Sequence, residues 1–201
     1  MLILYGNKIS NHTNKVEYVL KLLGLDYEYK KMDFKDLKSR DYLKLHPAGK
    51  IPVIDDEGFI LFESNAISKY LCNKVESELY PANLQERAII DQWIDIASIH
   101  LDNATSDIAF YRLLAKSMNV EISENAINEG LKALDRFLPI LNSQLEKNRY
   151  LASDELTLAD INLLSILEYA ESSKIDLSKY KSLKKWLEEL QNMEFFKQIH
   201  K

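Results

Sequence analysis

Two hydrophobic periods alternate over roughly the first seventy residues, and only the helical one continues beyond Pro81. Leu2 to Tyr5 reads as a short buried strand, and Val16, Val19, Leu20 and Leu23 then recur at helical spacing before Gly24, a helix stop. Tyr27 to Met32 suits a second strand, and residues 36 to 45 a short polar helix with Leu37 and Leu45 facing inward. Val53-Ile54 and Phe59 to Phe62 flank Asp55-Asp56-Glu57-Gly58, whose composition favours a hairpin turn. Ser64 is placed to cap a helix with Ala66, Ile67, Tyr70 and Leu71 on one face. The predicted order is β-α-β-α-β-β-α.

Residues 75 to 85, around Leu79-Tyr80-Pro81, lack periodicity and read as a connector, which divides the chain into an α/β domain over 1–76 and an all-helical domain over 86–201. Ile89, Trp93, Ile96, Ala97, Ala104 and Ile108 mark one long helix, and Ile127, Leu131, Leu134, Leu138, Leu141 and Leu145 another, in which Pro139 should produce a kink. Leu158 to Leu167 is apolar nearly all round and belongs at the centre of the helical domain, with Thr157 and Asp160 as its capping box. Residues 183 to 200 supply one or two more helices.

Composition narrows the function. With 46% apolar residues the 201-residue chain can bury a substantial core. It has no apolar run long enough to span a bilayer and no secretory signal, so a cytoplasmic location is expected. A single cysteine, Cys72, fits a reducing compartment. A net charge of −5 argues against binding nucleic acid or membrane through bulk electrostatics. An anionic ligand must then be held by local cations or backbone amides. No metal-ligand cluster, Cys-x-x-Cys pair or Gly-rich phosphate loop is present in the sequence.

Two constellations in the small domain carry candidate chemistry. In His46-Pro47-Ala48-Gly49-Lys50-Ile51-Pro52-Val53, Pro52 stands at a strand start, where it marks a special turn. A cis Ile51-Pro52 bond would free the Ile51 N–H and C=O for an extended peptide ligand, whereas a trans bond would leave an ordinary turn. In Phe62-Glu63-Ser64-Asn65-Ala66-Ile67, a strand runs into a helix whose N-terminal amides suit a carboxylate, while Glu63 is placed to receive an ammonium. Both ends of an α-amino acid are thus provided for.

Together these residues resemble the cytosolic glutathione transferase family, in its serine-type, theta-like and bacterial form. Leu79-Tyr80-Pro81 is similar to the family's linker and Thr157-Leu158-Ala159-Asp160 to its buried cap, so the resemblance covers nearly the whole chain. It implies a thioredoxin-like N-terminal domain, an all-α C-terminal domain, glutathione as co-substrate without a metal, and a homodimer. By matching positions, Ile51 pairs its backbone with the glutathione cysteine, and Glu63 and Ser64 hold the γ-glutamyl end. Lys50 lies beside the ligand, and Arg40 or Lys38 reaches the glycine carboxylate. Ser10 matches the catalytic serine, although Asn7-Lys8-Ile9 before it departs from the commoner proline-serine form.

The reaction needs a thiolate, and an ordinary thiol has a pKa of about 8.5. Ser10, between the first strand and helix, can donate to sulfur and also cap the helix. Tyr5, Asn11 and Thr13 are its rivals, while His12 reads as an exposed loop residue and Cys72 as packing. Lys8, Ile9, Ile108 and Tyr111 are candidates to line the pocket for a small hydrophobic electrophile. The main reading is conjugation of the glutathione thiolate to that electrophile. The alternatives are a glutathione-dependent isomerase, peroxidase or reductase, and a non-catalytic interaction module of the same architecture.

Overall fold

In the computed structural model, which describes residues 1–200, the chain divides into two compact units. The first comprises Met1–Ala82 together with the last helix. Its elements are β1 (Leu2–Gly6), α1 (Asn11–Leu22), β2 (Tyr27–Lys31), a single tight turn of helix (Phe34–Lys38), α2 (Tyr42–Leu45), β3 (Val53–Asp56), β4 (Phe59–Phe62) and α3 (Ser64–Lys74). The strands form one sheet in the order β2-β1-β3-β4, parallel between β1 and β2 and antiparallel elsewhere.

Strand alternation assigns side chains to the two faces of this sheet. Tyr5, Val53 and Phe62 are directly opposite one another and share a face. Val53 packs there with Leu37 and Tyr42, joined by Tyr5, Met32, Leu45, Ile51 and Ile60. The other face carries Leu4 and Ile54, both fully buried, and α1 packs against α3. Gly6 belongs to this second face, and a Cβ on it would lie 2.2 Å from Thr13 Cγ2, so only glycine lets the first turn of α1 approach.

The short polar helix expected over 36–45 is interrupted. Ser39 is extended (φ −65°, ψ 148°), and its hydroxyl accepts the Tyr42 N–H to start α2 afresh. Leu37 is buried and Leu45 packs against the same cluster, as the pattern indicated. On α3, Ile67 and Leu71 are buried but Ala66 is exposed. The last helix, α9 (Glu194–Ile199), groups with this unit. The fully buried Tyr18 ring stacks on Phe196 and meets Phe195 edge-on, and its hydroxyl is 2.5 Å from His200 Nε2.

The second unit, Asn83–Met193, is helical: α4 (Leu84–His100), α5 (Asp102–Ala109), a wider-wound segment (Phe110–Leu114), α6 (Glu124–Lys147), α7 (Leu158–Leu167) and α8 (Lys181–Gln191). The single long helix expected through Ile89 and Ile108 is two helices, divided at Leu101. The Thr105 hydroxyl donates back to the Leu101 and Asp102 carbonyls there, a pattern that bends helices. The buried face of α4 is Ile90, Trp93, Ile94 and Ala97, which leaves Ile89 exposed. Every residue of α7 is buried. Its Asp160 accepts from the Leu151 and Thr157 amides, the Thr157 hydroxyl and Trp186 Nε1. Burial pushes the Asp160 carboxyl up to about 6 against the pull of these four donors. No helix among the described residues is long and apolar enough to cross a membrane.

Candidate active site

The register of the sheet gathers the candidate residues at one end. β1 ends where Tyr5 faces Val53 and Gly6 faces Lys31, and Val53 in turn faces Phe62. The end of β1, the start of β3 and the end of β4 therefore share an edge. The loop to Ser10, the Lys50-Ile51-Pro52 segment and Glu63-Ser64 all emerge from it.

The loop after β1 is held by its own polar side chains. Asn7 accepts the Ile9 N–H at 3.1 Å and donates to the Met32 carbonyl at 2.9 Å, while Asn14 Nδ2 donates to the Lys8 carbonyl. Ser10 is the N-cap of α1, its Oγ accepting the Thr13 N–H at 3.3 Å. That bond uses a lone pair and leaves the hydroxyl proton able to donate. The structure treats the rivals differently. Thr13 is fully buried, and its hydroxyl accepts the Asn7 N–H. Asn11 Oδ1 accepts the His12 N–H. Tyr5 packs in the α2-side cluster with the Lys30 ammonium 5.3 Å from its ring centroid, on the face opposite the first turn of α1. His12 is half-buried within α1, not exposed in a loop.

The turn before β3 has the cis form. Ile51-Pro52 is a cis peptide, and the Ile51 N–H and C=O make no hydrogen bond among the described residues. Tyr42 donates to the Lys50 carbonyl at 2.7 Å, fixing the segment from below, whereas the Lys50 side chain is exposed. Gly49 has φ +61°, and a Cβ there would meet the Leu37 carbonyl at 2.7 Å. His46, not singled out from the sequence, is buried with its ring 4.6 Å from that of Phe62. Its Nδ1 accepts the Ala48 N–H, and burial holds its pKa below the usual histidine range. The Arg40 and Lys38 side chains are exposed and enter no side-chain hydrogen bond or salt bridge among the described residues.

At the third segment the N-cap of α3 is Glu63, not Ser64. Glu63 takes φ +70° and ψ 110°, a conformation that costs a non-glycine residue about 1–3 kcal/mol. Its side chain is exposed, and its carbonyl accepts the Ile67 N–H. Ser64 begins the helix, buried, with the hydroxyl accepting from Lys15 Nζ at 3.2 Å. Such strain beside open helix amides is what a binding site tolerates and a plain connection avoids.

The N-terminal domain of glutathione S-transferase matches residues 1–73 as a family model, and the C-terminal domain of glutathione S-transferase matches residues 101–194. The chain belongs to the glutathione S-transferase family. Glutathione S-transferase 1 of Zea mays is 33% identical over 166 residues, with 81% of this chain and 78% of that protein covered. Elongation factor 1-gamma 1 of Oryza sativa subsp. japonica is 40% identical over 125 residues, which are 62% of this chain but 29% of that protein. Among solved structures, glutathione transferase F7 from Populus trichocarpa superposes with a TM-score of 0.93 at 26% identity, covering 100% of this chain and 98% of that one. A Phanerochaete chrysosporium glutathione transferase, in complex with oxidized glutathione, gives 0.87 at 26% identity, covering 98% and 94%. The protein is thus a transferase that uses glutathione as its co-substrate. The curated sequence relatives are plant proteins, several of them glutathione S-transferases of an F series, so the theta-like, bacterial placement finds no support among them.

For this glutathione transferase, two of the proposed electrophile residues are otherwise engaged. The Lys8 ammonium turns back onto the buried Glu17 carboxylate, 2.6 and 2.7 Å from its oxygens, and Glu17 also accepts from the Tyr27 hydroxyl. Ile108 is fully buried in the helical unit beside Gly130 of α6. Ile9 is 51% exposed, next to Ser10. Tyr111 is half-buried and packs edge-on to Phe110. Lys15 and Glu17, both buried on α1, were missed. Their only sequence signal is that two charges flank Val16 where the polar start of the helix gives way to its apolar run.

Proposed function

We propose that the first unit holds glutathione in extended form across the Ile51 backbone and the start of α3, and that Ser10 stabilises its thiolate for attack on a small electrophile. The observation that supports this most is the sharing of one sheet edge by the Ser10 cap, the unbonded Ile51 amide and carbonyl, and the strained Glu63-Ser64 step. Ile51 pairs with the cysteinyl residue as a strand would. The γ-glutamyl ammonium meets Glu63, and its carboxylate meets Ser64 and the first amides of α3. Lys50 and Arg40 face the remaining, glycine end.

Ser10 donates a hydrogen bond to the sulfur anion and keeps its proton, and the N-terminus of α1 adds favourable potential. The thiol proton passes to solvent. The thiolate then forms a carbon–sulfur bond as the leaving group departs with its electron pair, or adds to an activated double bond whose other carbon then takes a proton from solvent. Ile9, apolar and exposed beside Ser10, is our candidate contact for the electrophile. We place the protein in the cytoplasm, where a lone buried cysteine suits the reducing conditions. We also propose a homodimer, on family grounds, and a concentration-independent monomer mass in sedimentation would refute it.

Calorimetric titration of glutathione tests the assignment. Each of Glu63→Ala and Ser64→Ala removes a partner of a charged ligand group and should weaken binding about tenfold or more. Unchanged affinity in both variants would overturn it. The match to an elongation-factor subunit supports a second reading, an interaction module. That reading requires glutathione binding without turnover of any aromatic electrophile.

A further inference from the structure

We infer that His46 is a positioning residue for glutathione, its neutral imidazole joining the turn that carries Ile51 to the strand end that carries Glu63 and holding the two segments at the spacing the peptide needs. The inference rests on the proposed placement of glutathione over those two segments. His46 is 3% exposed, and it ends α2 with its N–H donating to the Tyr42 carbonyl. Its carbonyl then accepts the Gly49 N–H at 2.9 Å, and its Nδ1 accepts the Ala48 N–H at 3.2 Å. Main chain and side chain of one residue thus close the same turn. The next peptide is fixed from α2 as well, by the Tyr42 hydroxyl on the Lys50 carbonyl.

The ring also meets β4. Phe62 lies against it with 4.6 Å between ring centroids, and Phe62 immediately precedes the strained Glu63. Phe62 is in turn the cross-strand partner of Val53, the residue after Pro52. The imidazole is therefore held by both segments that are to meet the ligand, without having to touch the ligand itself. An apolar side chain could fill the space against Phe62 but could not accept the Ala48 N–H. That acceptor is what a histidine adds here.

The acceptor role fixes the protonation state. With Nδ1 accepting, the neutral ring carries its proton on Nε2, and a second proton would set one N–H against another at Ala48. Burial and the Lys50 ammonium disfavour the cation against the pull of the Glu63 carboxylate, so the pKa lies below the usual histidine range. Glu63 and Lys50 are the charged groups that face the ring, and each belongs to one of the segments it joins. The bond to Ala48 is complete above the ordinary histidine pKa and is lost as pH falls through the lowered one. Glutathione affinity should inherit that acid limb.

The test is calorimetry with S-methylglutathione, whose sulfur cannot ionise, on wild-type protein, His46→Ala and His46→Asn between pH 7.5 and pH 5. The His46 ring titration is followed by proton NMR in the same buffers. Asparagine can accept the same N–H two residues on but does not titrate. At pH 7.5 His46→Ala should bind about three- to tenfold more weakly, as expected for the loss of one neutral hydrogen bond, and His46→Asn should recover most of that loss. On acidification wild type should weaken by a similar factor relative to His46→Asn, in step with its ring titration. Glu63 is common to both proteins, so its titration cancels in that ratio. Thermal unfolding of each protein checks the fold, and His46→Asn keeps the test available if His46→Ala does not fold. Parallel pH profiles for wild type and His46→Asn, or a His46→Asn protein as weak as His46→Ala, would overturn the inference and leave the glutathione site standing. A wild-type protein that binds the ligand at no pH would overturn the placement of glutathione, and the inference with it.

Discussion

Replacing Ser10 with alanine removes two things at once, and they are separable. The first is the N-cap bond from the Thr13 N–H to Ser10 Oγ, whose loss costs about 0.5–2 kcal/mol of stability. The second is the donor to the bound sulfur, a hydrogen bond to a charged acceptor worth about 1.5–3 kcal/mol. Expressed in the reaction, the second is roughly a ten- to hundredfold loss in rate. It should also raise the apparent pKa of bound glutathione by about one to two units, since one unit corresponds to 1.36 kcal/mol. Ser10→Asp restores a good cap but has no proton to give and sets a negative charge beside the sulfur. It should regain the stability lost in Ser10→Ala without regaining activity.

The assay follows thiolate absorbance of the enzyme–glutathione complex against pH, with conjugation of a generic aromatic electrophile measured in parallel. Affinity for the peptide should change little, because Ile51, Glu63 and Ser64 hold the rest of the ligand. Tyr5→Phe is the control. Its ring packs in the Val53 cluster on the other face of the sheet, so loss of its hydroxyl should leave the profile in place. A Ser10→Ala protein with the wild-type titration, together with a Tyr5→Phe protein that loses it, would refute the serine assignment and leave the glutathione site standing.

Gly6→Ala would place a methyl 2.2 Å from Thr13 Cγ2 and force the first turn of α1 outward. It should cost about 1–3 kcal/mol in unfolding experiments, and adding Thr13→Ser, which removes that methyl group but keeps the hydroxyl, should recover part of the loss. Strictly additive losses would refute the contact. Asp160 predicts a pH dependence confined to the helical unit, which holds both tryptophans, Trp93 and Trp186. Its folded pKa of about 6 lies above an ordinary carboxyl's, so its stabilisation is complete below about pH 4 and is lost as pH rises through 6. The advantage of wild type over Asp160→Asn, read by tryptophan fluorescence in urea, should shrink by about 2–3 kcal/mol from pH 4 to 7. A constant or growing advantage would contradict it.

These outcomes depend on two kinds of residue that differ in how far sequence reveals them. Ile51-Pro52 and Glu63-Ser64 act through the main chain, at strand ends fixed by a hydrophobic pattern of period two. Proline at a strand start, and a strand running into a helix, are local facts, and together they carried the resemblance that gave these segments their roles, although the helix begins on Glu63 and not on a Ser64 cap. Ser10 came forward by resemblance to the family's serine, with Tyr5, Asn11 and Thr13 left as rivals, and it is the structure that makes Ser10 the cap of α1. Side chains that work at a distance leave no such mark. Lys8 and Ile108 were assigned to the electrophile by position along the chain, yet one is held by Glu17 and the other packs beside Gly130.

Lys15 is the opposite case. Helical periodicity sorts residues into apolar and polar, so a lysine next to Val16 counts as solvated surface, although its ammonium lies against residues 49 and 50 positions away. Hydrophobic pattern identifies what drives a helix into the core but says nothing about a charge carried in with it. The cost of burying that charge is what makes it informative. Glu17 repeats the case, since its carboxylate, buried beside Val16, is reached by the Lys8 ammonium and the Tyr27 hydroxyl, nine and ten positions away.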